Sequence, residues 1–230
     1  MAQGGGYALD FDGANDYVNT TYSGISGNND RTVEAWVKTS ATGVNFITEW
    51  GVQEINQRFT VTVTGSKLRV EFAGGGLSGS TNVNDGLWHH LAATHSSTSS
   101  PSTKLYIDGN LEATASFTIN TSSNGNVLVG KSAYWSAREF NGSIDEVRIW
   151  SVARTATQIA DNIHVLLDGD ETGLEAYYKM SNGSGTTITD NSENSNTGTM
   201  VNMANSDWIT SNAPIGDLTS GYTTDVEALW

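Results

Sequence analysis

Residues 140–150 have the sequence FNGSIDEVRIW, and this stretch decides the fold class of the chain. The dipeptide Asn141-Gly142 favours a tight turn, because both residues tolerate positive backbone φ angles. The residues that follow place apolar side chains around two adjacent carboxylates, Asp145 and Glu146. The stretch therefore predicts a tight turn that leads into a β-strand.

Further short segments with strand-like alternation of apolar and polar residues occur along the chain. They lie at 7–11, 32–38, 59–63, 67–72, 88–93, 104–107, 111–114, 126–130 and 174–180. Glycine-containing turns at 64–66 and 108–110 separate two pairs of these segments, as expected for hairpins. Many short strands with little helix predict an all-β protein, an antiparallel jelly-roll β-sandwich.

One short helix is predicted near 155–167. Thr155 and Gln158 have the spacing of a capping box, and apolar residues then recur with the helical period. No shift in composition marks a second domain, so residues 7–215 are predicted to form one domain. Residues 216–230 are predicted to be a C-terminal tail or linker.

Composition excludes some classes of function. The chain has 230 residues, 11 Lys and Arg residues and a formal net charge of −14. A nucleic-acid surface needs clustered basic residues, so no nucleic-acid partner is expected. No apolar run approaches the roughly 18 residues of a membrane span, so no membrane insertion is expected. The acidic charge suits an extracellular setting and attracts divalent cations, although it can equally serve solubility alone.

The order of several motifs resembles the laminin-G-like jelly-roll family, a branch of the concanavalin A-like lectin and glucanase superfamily. These motifs lie at 8–13, 16–18, 32–37, 88–92, 105–109, 142–150 and 153–155. Segment 173–198 also resembles part of the family. In the family this part normally precedes the first strand, whereas in this chain it follows the predicted helix. This segment either completes the sandwich or belongs to a neighbouring repeat.

The resemblance implies a calcium-associated extracellular module that binds glycans or protein partners. It implies secretion or a cell-surface location, with the module forming part of a larger secreted protein or adhesin. Calcium would be held by Asp12 and Asp16, which lie in a turn, and by Asp145, which the family places near that turn. Hard cations prefer such oxygen ligands. The alternative is that Asp12 and Asp16 are ordinary turn residues that cap their own backbone.

Two polar segments contain aromatic residues that are expected to be exposed, Trp50 in the first and Tyr134 with Trp135 in the second. Sugar rings stack their apolar faces on aromatic rings, while polar side chains bind their hydroxyl groups. The sequence therefore predicts a polysaccharide or cell-surface glycan as the ligand. The polar groups nearby in sequence are Glu49, Glu54, Asn56, Arg58 and Arg138.

Catalysis has little support in the sequence. Retaining glycosidases need two carboxyl groups about 5–5.5 Å apart, whereas Asp145 and Glu146 are consecutive and should point to opposite faces of a strand. The leading hypothesis is therefore a non-catalytic binding module. A glycoside hydrolase or lyase on the same fold and a structural spacer of a tandem adhesin are the alternatives.

Overall fold

A computed structural model describes residues 6–216 of the chain. These residues form two β-sheets, one α-helix and a short 3₁₀-helix. The elements are β1 (Tyr7–Asp12), β2 (Tyr17–Thr20), β3 (Arg31–Lys38), β4 (Val44–Gly51), β5 (Arg58–Thr64), β6 (Lys67–Glu71), β7 (Gly76–Asn82), β8 (Trp88–His95), β9 (Thr103–Ile107), β10 (Asn110–Ala115), β11 (Leu128–Val129), β12 (Asn141–Trp150), α1 (Ala156–Asn162), β13 (Leu174–Tyr178), β14 (Thr187–Ile188), β15 (Gly198–Val201), the 3₁₀-helix (Asn205–Asp207) and β16 (Trp208–Thr210).

The strands pair antiparallel in two eight-stranded sheets. Sheet A has the order β10-β9-β8-β3-β12-β1-β16, and β13 also pairs with β12. Sheet B has the order β14-β15-β2-β11-β4-β5-β6-β7. The predicted antiparallel jelly-roll sandwich is thus confirmed, as are the hairpin turns at 64–66 and 108–110.

Strand β12 is the centre of sheet A. One edge pairs with β3, while the other edge pairs with β1 along its first half and with β13 along its second half. A bulge against β3 lies between Asp145 and Arg148, and Glu146 within it has a φ of 52°. At the level of this bulge, the opposite edge of β12 changes its partner from β1 to β13.

The apolar core lies between the sheets. Alternate strand residues enter it, among them Val33, Ala35 and Val37 of β3, which are at most 1% exposed. Burial of alternate side chains is the physical reason that the period-2 pattern specifies this sandwich.

The predicted turn at Asn141-Gly142 is wrong. Both residues belong to β12, where Gly142 pairs with Phe11 and Asn141 with Asp12. Gly142 has a φ of 132°, and a Cβ atom there would lie 2.2 Å from the carbonyl oxygen of Lys38. Glycine is needed here for close approach of the neighbouring chain rather than for a hairpin turn.

The helix is confirmed, with a shorter extent than predicted. The Thr155–Gln158 capping box is present, but α1 ends at Asn162 rather than at 167. Side chains of sheet A bind the carbonyl groups that follow. Trp36 Nε1 donates to Ile163 O, and Arg148 donates to the carbonyl oxygens of Asn162 and Val165. These contacts replace the hydrogen bonds that a continued helix would supply.

Segment 173–210 completes this sandwich, which settles one alternative left open by the sequence. Strand β13 pairs with β12, β15 with β2 and β16 with β1. The predicted tail lies outside the described residues from 217 onward. Within residues 6–216, no helix has the length and apolar character needed to cross a membrane.

The core contains a histidine that should make stability depend on pH. His95 Nδ1 lies 3.0 Å from Thr103 Oγ1, and Nε2 lies 3.0 Å from Asn28 Oδ1. Burial, and secondly the charge of Arg31, lower the pKa of His95 from 6.5 to about 4. Between these values the unfolded chain binds more protons than the folded chain. The contribution of His95 is therefore present above about pH 6.5 and is lost as the pH falls towards 4.

We expect this loss to be on the order of 2–3 kcal/mol in the free energy of unfolding. Urea unfolding of the parent and of His95→Gln at pH 7 and pH 4.5 measures it. The difference in the free energy of unfolding between the parent and the variant should become smaller as the pH is lowered. An equal pH dependence in both proteins would contradict the assignment.

Candidate functional site

The loop at residues 131–139, between β11 and β12, is called the aromatic loop below. Its first residues are bound by Glu49 of β4. The Glu49 carboxylate accepts hydrogen bonds from Ser132 Oγ at 2.9 and 3.0 Å and from the Ala133 N–H at 2.7 Å. Glu49 is fully buried. A buried carboxylate that accepts several hydrogen bonds is a strong anchor, so the base of the aromatic loop is held on sheet B.

A row of charged side chains extends from this anchor across the outer face of sheet B. Arg58 lies 3.4 Å from Glu49 Oε2 and 3.4 Å from Glu71 Oε2, and Arg69 Nε lies 2.7 Å from Glu71 Oε1. Burial raises the pKa of Glu49, while the Ala133 N–H and the Arg58 charge oppose that shift. We call Glu49, Arg58, Thr60, Arg69 and Glu71 the polar face.

Two aromatic side chains of the loop reach solvent. Tyr134 is 42% exposed and Trp135 is 39% exposed, which confirms the exposure predicted for both. The Tyr134 hydroxyl donates to Gly51 O at 2.9 Å. The Arg138 guanidinium carbon lies 4.6 Å from the centre of the Trp135 ring, so a cation–π contact orients that ring. The arrangement offers an apolar ring with polar groups close by.

Trp50 is not part of this site, and its predicted exposure is wrong. Trp50 is only 1% exposed, stacks on Phe59 and donates a hydrogen bond from Nε1 to Ile25 O. Trp50 points into the sandwich, whereas its neighbour Glu49 contacts the aromatic loop on the outer side. The polar residues before it, Thr48 and Glu49, are also buried. Their polarity made this part of β4 look like an exposed loop in the sequence.

The other predicted polar residues divide into two groups. Glu49 and Arg58 lie on the polar face, although both are buried beneath the surface rather than open to solvent. Asn56 lies in the turn between β4 and β5 with a φ of 62°, and its carbonyl oxygen accepts a hydrogen bond from Asn120 N–H. Glu49 thus contacts the aromatic loop directly, and Arg58 is connected to the loop only through its ion pair with Glu49.

Sequence reasoning missed Ser132, Thr60, Arg69 and Glu71. Thr60 donates to Glu49, and Arg69 and Glu71 continue the charged row. A signal for three of them was present, because Thr60, Arg69 and Glu71 are the polar members of two alternating strands. The position of Ser132 against Glu49 depends on how a distant loop folds over β4.

The three predicted calcium ligands do not come together. Asp12 pairs with Asn141, which lies four strand residues from Asp145, about 13 Å along the sheet. Asp145 is buried and accepts hydrogen bonds from Glu146 N–H and from the Ser211 hydroxyl. Its burial raises its pKa well above the usual value. A carboxyl group in these surroundings does not fit the role of a calcium ligand.

Asp12 and Asp16 have the local arrangement of a turn. Asp12 Oδ1 accepts from the N–H groups of Ala14 and Asn15, and Asp16 Oδ2 accepts from the Asp12 N–H. In the part of the chain that the structure describes, no three His, Asp or Glu side chains are grouped as metal ligands. Calcium binding stays a prediction. If calcium binds, the melting temperature should fall after EDTA treatment and recover when calcium is restored.

Solved structures with the same fold include proteins of carbohydrate recognition. A proposed carbohydrate binding protein from Bacteroides ovatus is 24% identical, with a TM-score of 0.74 over 92% of this chain and 61% of that chain. Domain 4 of an extracellular arabinanase from Geobacillus stearothermophilus, in complex with arabinotriose, is 23% identical, with a TM-score of 0.52 over 67% and 75% of the two chains. A sialidase CBM40 from Ruminococcus gnavus, bound to α2,6-sialyllactose, is 14% identical, with a TM-score of 0.56 over 67% and 95%.

These identities show a shared fold, and the chain spans about three fifths of the length of the Bacteroides protein. A comparison with curated protein sequences found no match. A laminin-G family model, described as the concanavalin A-like lectin/glucanases superfamily, matches residues 12–160. The match covers more than half of the 230 residues and includes β2 to β12, the aromatic loop and the polar face. The chain therefore belongs to the concanavalin A-like lectin/glucanases superfamily.

Proposed function

We propose that this chain is a non-catalytic carbohydrate-binding module and that its glycan lies against the aromatic loop beside the polar face. The observation that carries the proposal is the pair of exposed rings, Tyr134 and Trp135, on a loop whose base is bound by a buried carboxylate. An apolar ring surrounded by a few oriented polar groups is the general form of a sugar site. A site that is organised before binding loses less entropy when the ligand arrives.

The neighbours of this fold support the proposal, because two of them hold arabinotriose and α2,6-sialyllactose. We further propose that the chain acts outside the cell as one module of a larger secreted or surface protein. The charge of −14 suits an extracellular setting, and the chain spans only part of the length of the Bacteroides protein.

Replacement of Trp135 by alanine tests the proposal. Removing a stacking residue at the centre of a binding site costs on the order of 2 kcal/mol, which is about a thirtyfold loss of affinity. We expect glycan binding to be lost and the melting temperature to stay nearly unchanged, because Trp135 lies at the surface. A polysaccharide and glycan array identifies the ligand, and calorimetry measures its affinity.

Leu87→Ala is the matched control, since Leu87 is also an exposed apolar residue but lies in the turn before β8. This variant should bind as the parent does. Trp135→Phe, which keeps an aromatic face, should retain part of the affinity. Unchanged affinity in Trp135→Ala would refute the site, and unfolding of that variant would show that Trp135 is a packing residue.

A further inference from the structure

A cleft of about 400 Å³ lies on the outer face of sheet A, on the opposite sheet from the aromatic loop. Its floor contains Thr94 of β8 with Lys104 and Tyr106 of β9. Its walls are the serine-rich loop at 96–102 and the segment 153–156 that leads into α1. The volume lies within the roughly 300–1,000 Å³ that is usual for small-molecule sites. We call it the β9 cleft.

The strand register explains why the floor residues come together. Thr94 pairs directly with Lys104, and Tyr106 lies two residues further along the same strand, so the three side chains point to the same face. Leu111 of β10 pairs with Tyr106 and is 55% exposed. The cleft thus has an apolar side chain beside a line of polar groups.

The polar groups of the floor have no protein partner in the described part of the chain. Among residues 6–216, no hydrogen bond or ion pair involves the Lys104 ammonium, the Tyr106 hydroxyl or the Thr94 hydroxyl. Thr94 and Tyr106 are nevertheless almost completely buried. The Thr94 and Tyr106 hydroxyl oxygens are not fully enclosed by protein, so they open onto the cleft. Together with Lys104 they place three polar groups where a ligand can bind them.

The charges of the cleft indicate which kind of acceptor fits. Arg154 in the wall is already paired with Glu34 at 2.6 Å and donates to Gln158 O. Asp30 accepts from the N–H and the hydroxyl of Ser97, at 2.6 and 2.7 Å. Lys104 makes no ion pair in the described part of the chain, whereas Arg154, the other cation of the lining, does. An unpaired, half-buried ammonium is best stabilised by an anionic group.

We propose that the β9 cleft binds a carboxylate-bearing sugar, with the carboxylate on Lys104 and hydroxyl groups on Tyr106 and Thr94. Leu111 packs against the apolar face of the ring. This site goes beyond the proposed function, because it lies on the other sheet and shares no residue with the aromatic loop or the polar face. A chain with both sites would bind two sugar units on opposite faces.

Titration of the isotope-labelled protein with sodium D-glucuronate, followed by the shifts of its amide resonances, tests the proposal. We expect saturable shifts at residues 94–106 and 153–156, with a dissociation constant on the order of millimolar. Lys104→Gln should weaken binding at least about tenfold, and Tyr106→Phe by a smaller factor. Lys38→Gln is the matched control, because Lys38 is an exposed lysine at the end of β3 in the same sheet.

Two further probes and one further variant separate the possible outcomes. D-glucose and sodium acetate should each bind at least about tenfold more weakly, because each lacks one half of the proposed contacts. Trp135→Ala should leave glucuronate binding in the β9 cleft unchanged, so failure of the aromatic loop site and failure of this one are distinguishable. No saturable shift at the cleft, equal binding of glucose or acetate, or shifts confined to the aromatic loop would each overturn the proposal.

Discussion

Replacement of Arg148 by methionine is expected to lower the free energy of unfolding by about 3–5 kcal/mol. Arg148 is fully buried on the outer face of sheet A, where its Nη2 lies 2.7 Å from Glu146 Oε2. The same guanidinium donates to the carbonyl oxygens of Asn162 at 3.0 Å and Val165 at 2.6 Å. Removing it leaves a buried carboxylate without its counter-charge and two carbonyl groups without their donor.

Urea denaturation of the parent and the variant measures this loss. Lys179→Met is the matched control. The cationic groups of Arg148 and Lys179 both lie over the Tyr177 ring, at 5.4 and 5.1 Å from its centre, but Lys179 is partly exposed. The control should change stability by less than about 0.5 kcal/mol. The double variant Glu146→Gln/Arg148→Met should recover part of the loss. A change of less than about 1 kcal/mol in Arg148→Met would show that the buried ion pair is not a major contact.

Replacement of Glu49 by alanine is expected to affect both stability and glycan binding. The substitution leaves Arg58 buried without its inner counter-charge and removes the acceptor for Ser132 and the Ala133 N–H. We expect a loss of about 3 kcal/mol in the free energy of unfolding. The aromatic loop would no longer be held on β4, so binding should fall at least as far as in Trp135→Ala. Thermal unfolding and calorimetry with the array-selected glycan measure the two effects.

Glu71→Ala is the matched control for Glu49. Glu71 also lies 3.4 Å from Arg58, but its side chain is 26% exposed, so water can replace the lost contact. This control should lose less than about 1 kcal/mol. Glu49→Gln keeps an acceptor for the loop and should retain more binding than Glu49→Ala. If Glu49→Ala binds glycan as tightly as the parent, the anchor is not needed for the site.

Much of the site was predictable, with one clear limit. Exposure of Tyr134 and Trp135 followed from two large aromatic residues in a polar stretch, where turn chemistry does not require them. Trp50 had the same local appearance but is buried, because it lies on the inner side of β4 against Phe59. The aromatic loop binds its neighbour Glu49 on the outer side, so a polar residue that suggested an exposed loop is buried as well. A contact between segments more than 80 residues apart leaves no local signal in either segment.

The sequence by itself determined the elements that depend on neighbouring residues: the alternating strands, the hairpins at 64–66 and 108–110, and the capping box of α1. Only the tertiary structure decided the pairing of distant strands. The register of β1 with β12 separates Asp12 from Asp145, and the fold of the aromatic loop seats Ser132 on Glu49. The physical reason is that turn and cap geometry are set by adjacent residues, whereas register and burial are set by which distant surfaces pack together.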